Sequence, residues 1–416
     1  MCRRVALVVL AALVVCSVGP WNSVRSADDE LRQQARRLHR EIIVLDTHAD
    51  MTPFFQRDTK GPEITDPGMA GPGYDPSKDP TKEPTIESWQ KAFPSTWSFT
   101  ERHTAGFLDL PRMREGGLDA EFFSIFMDRE PRPGMAIKRS LDYIDSVHEL
   151  CRKYPKEIAL ATSVADVRRI VASGRVAALM GMEGGHMIED DLRALRLYQQ
   201  LGVRYLTLTH CFNTNWADSS GCGAPVKPEH NGLSPFGKEV VRELNRLGVL
   251  VDVTHVADKT FYDAVAVTQA PVIASHSSVD GIKEHARNMS DDMLRALARN
   301  GGVIQINAVI KYIDPSTPSD APIKAPGNTP LSVFIDHIAH AVKVAGPDHV
   351  GIGIDFGYTA PTPVGLRDVS HFENITYELL KRGYDENTIR RIWGENTLRV
   401  MAEAEKVAAR LAAGGR

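Results

Sequence analysis

Eight short runs rich in Val, Ile, Leu and other apolar residues recur along the chain without regular alternation: 42–45, 120–126, 176–180, 204–208, 249–253, 271–274, 302–306 and 349–354. A strand with one face in water alternates apolar and polar residues, whereas a parallel strand buried on both faces does not. Amphipathic helical stretches stand between most of the runs, at 190–201, 237–247, 258–267, 291–300 and 331–345. Two more, 136–154 and 163–173, fall between the second and third runs, one (28–40) precedes the first, and 367–382 and 385–408 close the chain. Eight buried strands alternating with helices in 416 residues predict a single-domain α/β fold, a (β/α)8 TIM-type barrel. An open doubly wound sheet is the runner-up, but no Gly-x-Gly-x-x-Gly follows the first run.

One segment breaks the rhythm. From 56 to 104 the chain is proline-rich and carries Trp89, Phe93 and Trp97. This long irregular loop follows strand 1, so it is expected to form a lid or rim over the catalytic end of the barrel. The first 26 residues read as a secretory signal peptide: Arg3 and Arg4, an apolar run over 5–18, and small residues near Ser26 and Ala27. Residues 27–416 are then the functional domain, exported to the periplasm or the extracellular space. Lipid anchoring at Cys16 is the lesser option, because Val15 stands where a small residue is wanted.

Cys151, Cys211 and Cys222 remain after the signal, and Cys211 with Cys222 is the local disulfide candidate. Three unpaired thiols are an equal alternative. There is no Cys-x-x-Cys for a thiolate zinc site. A formal charge of −4, with both signs mixed along the chain, excludes the basic stripe of a nucleic-acid binder.

Residues at the C-terminal ends of barrel strands face the active site. Here those ends read Asp46-Thr47-His48-Ala49-Asp50, Gly181-Met182-Glu183-Gly184-Gly185-His186, Thr209-His210, Asp252-Val253-Thr254-His255, Ser275-His276 and Asp355-Phe356. Any one of these alone is more often a hydrogen-bonded histidine or a capping aspartate. Six together are different, because burying so many titratable groups without an ion would be costly.

His48 and Asp50, two apart at a strand end, can hold one divalent ion, and His255 and His276 a second, with Glu183 as the bridge. Paired ions of this kind are about 3.5–4 Å apart and share a water acidified toward neutrality. His210 is then free to polarise a carbonyl, and Asp355 to carry a proton. His39, His103, His148, His337, His340 and His371 lack a strand-end context and are read as structural, and His186 is surplus to the ligand count. Gly-x-Ser-x-Gly and His-Glu-x-x-His are both absent.

These residues resemble the membrane (renal) dipeptidase family of the amidohydrolase superfamily, over about residues 45–396. Leu45-Asp46-Thr47-His48-Ala49-Asp50 is similar to the family's opening His-x-Asp, and Gly181-Met182-Glu183 to the segment with the bridging glutamate. Thr209-His210 with Asn213–Asp218 behind it resembles the substrate-contacting histidine and its loop, and Gly351-Ile352-Gly353-Ile354-Asp355 the proton-handling aspartate. The resemblance further implies that Arg287 grips the substrate's terminal carboxylate and that Tyr312 assists it. A planar guanidinium suits that contact. The family often has a second acidic residue where this chain has Gly357.

The expected activity is zinc-dependent hydrolysis of dipeptides by a hydroxide bridging two Zn2+. An amidase, lactamase or N-acyl (D-)amino acid deacylase on the same centre is the alternative. A barrel that binds without turnover should have lost a ligand, yet all five are present. The expected partner is a dipeptide or related small molecule. No nucleic acid is expected, and a homodimer stays open.

Overall fold

The apolar runs form strands because a barrel strand is covered by helices on one side and by the barrel interior on the other. The computed structural model describes residues 27–60, 97–103, 106–127, 133–223, 226–321, 328–357 and 361–414. Its strands are β1 (Leu45–Ala49), β2 (Ala120–Phe126), β3 (Ile158–Leu160), β4 (Val176–Glu183), β5 (Val203–Thr207), β6 (Leu250–Asp252), β7 (Ile273–Val279), β8 (Asn288–Met289), β9 (Val303–Ile306) and β10 (Val350–Ile352). Eight of them pair in the order β1-β2-β4-β5-β6-β7-β9-β10, all parallel, while β3 adds to β4 and β8 to β7.

The seam between β10 and β1 is closed by backbone and side chain together. Ala49 bridges Phe356, the Asp50 N–H donates to the Phe356 carbonyl, and the Ile354 N–H donates to Asp46 Oδ1 at 2.8 Å. The result is a nearly closed (β/α)8 barrel.

Alternate strand residues divide between two cores. Leu45, Phe122, Leu179, Leu250, Ile273 and Val303 cluster with Leu398, Met401 and Val407 of the C-terminal helix. Ala49, Phe123, Met180, Val251, Ala274 and Ile304 join the larger core with the surrounding helices. A two-residue period that feeds apolar side chains to both faces is what a strand without apolar–polar alternation provides.

Several boundaries differ from expectation. β1 begins at Leu45 rather than at 42, and β4 and β7 run on to Glu183 and Val279. The ladder continues through polar residues because the barrel mouth satisfies them with one another. The helical stretch expected at 367–382 is a 3-10 turn, Val369–His371, followed by a helix, Glu373–Lys381. The last stretch is two helices, Glu386–Arg390 and Asn396–Gly414, joined by a π turn at Arg391–Glu395.

The segment read as irregular from 56 opens inside a helix, Thr52–Lys60. At its far end Trp97 is buried in the core, with its ring 5.5 and 5.9 Å from Phe54 and Phe55, while the lid or rim expected of this segment falls mostly on 61–96, outside the described residues. Trp89 and Phe93 lie outside the described residues, as does the whole of 1–26.

Candidate metal centre

Two of the histidines sit where the ladder slips. Between β1 and β2 the register passes from Asp46↔Glu121 to Ala49↔Phe123, placing an extra residue at Thr47–His48. Between β7 and β9 it passes from Ala274↔Ile304 to Ser277↔Ile306, with the extra residue at Ser275–His276. A bulge of this kind re-aims a side chain. Backbone strain marks two more positions: His255 and Asp355 hold left-handed φ values of 66° and 65°. Non-glycine residues adopt that conformation at a cost, and it gathers at functional sites.

These devices converge on Glu183 at the end of β4. Its Oε2 is 3.2 Å from His48 Nε2, which is 3.6 Å from Asp50 Oδ1. Its Oε1 is 3.1 Å from both His255 Nε2 and His276 Nε2, which are 3.2 Å from each other. One carboxylate thus turns one oxygen to each of two ligand groups, His48–Asp50 and His255–His276. Donor atoms about 2.0–2.1 Å from one tetrahedral ion stand roughly 3.3–3.4 Å apart, and the separations within the two groups, 3.1 to 3.6 Å, bracket that value. His48 Nε2 and Asp50 Oδ1 are buried without a hydrogen-bond partner, the condition expected of atoms reserved for an ion. The residues present fit a two-ion centre.

The far nitrogen of each imidazole is also engaged, and this fixes the tautomer. The Tyr205 hydroxyl donates to the Thr47 carbonyl, so its oxygen accepts from His48 Nδ1 at 2.8 Å. The Ser275 hydroxyl donates to Asp252 Oδ2 at 2.6 Å, so its oxygen accepts from His276 Nδ1 at 2.8 Å. Asp252 is anchored in turn by the Thr254 and Ser275 N–H groups and the Thr207 hydroxyl. His255 Nδ1 faces Cys222 Sγ at 3.5 Å. All three Nε2 atoms are left aimed at Glu183.

Charge follows the same pattern. Burial holds both His255 and His276 well below the ordinary imidazole value, with Arg287 and His210 adding to it at His255 and His48 and Arg287 at His276. Burial opposes the charge on Glu183, yet His48, His255 and His276 hold it well below the glutamate range. Burial also opposes a proton on His48, but Tyr205, Glu183 and Asp50 outweigh it and raise this imidazole. An ionised bridge and two neutral imidazoles are the states a divalent ion requires, and His48 has a proton to release.

The other sequence-derived candidates surround this cluster. Asp355 Oδ1 lies 3.9 Å from His48 Nε2, and burial pushes its carboxyl up to about 7. His210 Nε2 is 3.8 Å from Glu183 Oε1, and burial pushes its imidazole down to about 4. Phe126 and Phe212 flank the His210 ring at 4.7 and 6.2 Å. Arg287 is 3% exposed, lies 5.3 Å over the Tyr312 ring, and donates from Nη2 to the His276 carbonyl. Its Nε and Nη1 have no partner. A buried guanidinium with unmet donors, beside His276, has the chemistry to receive an anion.

A model of the membrane dipeptidase family, peptidase family M19, matches residues 32–414. The chain belongs to that family. It is therefore a metal-dependent peptide-bond hydrolase acting on small peptides. The probable dipeptidase PvdM from Pseudomonas aeruginosa is similar at 26% identity and a TM-score of 0.74, covering 91% of this chain and 99% of its own. A metallopeptidase from Rhodobacter sphaeroides, solved with a phosphinate mimic of the dipeptide L-Ala-D-Ala, is similar at 25% identity and a TM-score of 0.69, covering 87% and 99%. Dipeptidase AC, of the same family, matches at 25% identity and a TM-score of 0.69, covering 87% and 98%.

In this family member the histidines read as structural have ordinary partners. His39 bonds Thr376 and Gly116, His337 bonds Val279 and Ile313, and His340 bonds Asp291. Sequence reasoning missed Tyr205, which looks like any apolar residue of β5. It also missed Asp252 and Ser275, which lie inside quoted motifs but were taken as flanks. Asn288, whose side-chain amide donates to the Tyr312 and Lys283 carbonyls, gave no signal at all. Cys211 and Cys222 do form a disulfide, with Cα atoms 5.0 Å apart, and Cys151 is free.

Proposed function

We propose that the chain hydrolyses dipeptides at a two-zinc centre, with His48 and Asp50 holding one ion, His255 and His276 the other, and Glu183 bridging them. The supporting observation is the division of Glu183's two oxygens between two ligand groups. When bound, the ions supply an acidified water and a Lewis acid for the scissile carbonyl.

The chain's own residues do the rest. Arg287, with Tyr312 beside it, takes the substrate's α-carboxylate on its unmet Nε and Nη1 donors and sets the register of the peptide. His210, neutral near pH 7 because burial depresses it, polarises the carbonyl oxygen as it gains charge. Asp355 takes the proton released by the attacking water and returns it to the leaving amine. Export to an oxidising compartment completes the reading, and the Cys211–Cys222 disulfide supports it.

A substrate panel on zinc-loaded protein tests this. Dipeptides with a free α-amine and a free α-carboxylate, L–D pairs among them, should be cleaved, and their C-terminal amides should not. Hydrolysis of N-acyl amino acids in preference to free dipeptides would replace this reading with a deacylase.

A further inference from the structure

The disulfide lies against the two histidines that meet Glu183 Oε1 from β5 and β6. Cys211 Sγ is 3.5 Å from His210 Nε2, and Cys222 Sγ is 3.5 Å from His255 Nδ1. The loop it closes is tied to the same two residues through their backbones. The Ser219 hydroxyl donates to both the His210 and His255 carbonyls, and the Ser220 N–H donates to the His255 carbonyl. Lys311 Nζ donates to the Cys222 carbonyl at 3.1 Å, joining the loop to the turn that carries Tyr312. His255 needs such support, since its backbone is left-handed with φ of 66°.

His255 also differs from the other two ligand histidines. His48 and His276 rest their Nδ1 atoms on hydroxyl oxygens that are themselves anchored, while His255 rests its Nδ1 on sulfur. We propose that the Cys211–Cys222 disulfide is a positioning element of the metal centre, holding His255 and His210 in place, so that the thiol–disulfide state of this pair sets metal affinity and turnover. The inference rests on the two-ion reading above. Reduction adds two electrons and two protons, breaks the S–S bond and leaves two thiols. With a phosphine as reductant, the phosphine takes up oxygen from water and becomes its oxide. The thiols are then free to rotate away from the imidazoles, and the His210–His255 spacing loses its clamp. Cys151 does not complicate this: it is a free thiol that burial pushes up to about 12, so it stays unreactive.

The experiment uses the whole chain, zinc-loaded, before and after treatment with a water-soluble phosphine, with thiols counted in each sample. Two new thiols should appear, kcat should fall by about tenfold or more, and KM for the dipeptide should change much less. Competition with a chromogenic chelator should show affinity for one of the two ions falling by about tenfold or more. Reoxidation with oxidised glutathione should restore both values. The variant C211S/C222S should match the reduced protein and ignore the phosphine. Release of two thiols with kcat and metal affinity unchanged overturns the proposal. So does a fall in activity that merely tracks the unfolded fraction by circular dichroism, or an equal effect of phosphine on the variant. Chelator competition needs no peptide, so a failure here is separable from a failure of the dipeptidase reading.

Discussion

Tyr205 and His48 meet through a 2.8 Å hydrogen bond between phenol oxygen and Nδ1, at the heart of the barrel and fully buried. The bond engages Nδ1, so Nε2 is the nitrogen that faces Glu183 and the one that would give up its proton to an ion. Tyr205→Phe keeps the ring and removes the acceptor, so metal affinity or activity should drop by about 10–100-fold with the fold intact. A Cβ on Gly181 would come within 1.8 Å of the Tyr205 ring, so Gly181→Ala should displace the ring and give a comparable loss. Metal titration of both variants, beside their melting curves, checks this. Unchanged affinity in Tyr205→Phe would leave the tyrosine a packing role only.

Arg287 should act on the substrate and not on the ions. Arg287→Ala is expected to raise KM for dipeptides and lower kcat/KM by roughly two orders of magnitude, as expected for a lost charge-assisted contact of about 2–4 kcal/mol. Zinc content should stay at the wild-type level. Steady-state kinetics on peptides and on their C-terminal amides would show the difference, since the amides should be nearly indifferent to the substitution.

The fold was largely legible because burial on both faces writes itself as short, non-alternating runs rich in Val, Ile and Leu. The ends of the strands were less so. Asp46, Thr47 and His48 look like a loop, yet they are ladder residues, because the polar groups of the mouth satisfy one another. The bulges at His48 and His276 leave no mark on composition. Residues with chemistry of their own, such as His48, Asp50, Glu183, His255 and His276, stand out against apolar neighbours, and the barrel brings them together. Tyr205 and Asp252 do not stand out, since their contribution is made through another side chain, and a sequence does not display which side chains meet.

Asp355→Asn should abolish turnover while metal content stays close to wild type. Its backbone φ of 65° is one that asparagine tolerates as well as aspartate, so the substitution should not disturb the fold. Asn retains hydrogen bonding but cannot carry the proton, so the loss should fall on kcat. Melting temperature, zinc content and kcat from a single preparation decide it. A stable, zinc-loaded Asp355→Asn within tenfold of wild-type kcat would take Asp355 out of the mechanism.

Glu121 supplies a pH test that is read on stability rather than on turnover. Both its carboxylate oxygens are buried without partners, and its cross-strand neighbour is Asp46. Burial, with the Asp46 charge adding to it, holds Glu121 well above its ordinary value of 4.5. Above 4.5 the unfolded chain releases a proton that the folded chain keeps. The associated stability is therefore fully present in acid and is lost as pH rises toward the raised value. Glu121→Gln should raise the melting temperature at neutral pH and flatten its decline above about pH 5. A melting profile parallel to wild type across that range would show that the carboxyl is not strained there.

The two-ion centre is tested most directly by counting divalent ions in active protein. Wild type purified without chelator should carry about two per chain by elemental analysis, and stripping them should abolish dipeptide hydrolysis until zinc is restored. Glu183→Gln should lose ions and activity together, because both groups share its carboxylate. Full dipeptidase activity in protein that holds one ion or fewer per chain would contradict the account.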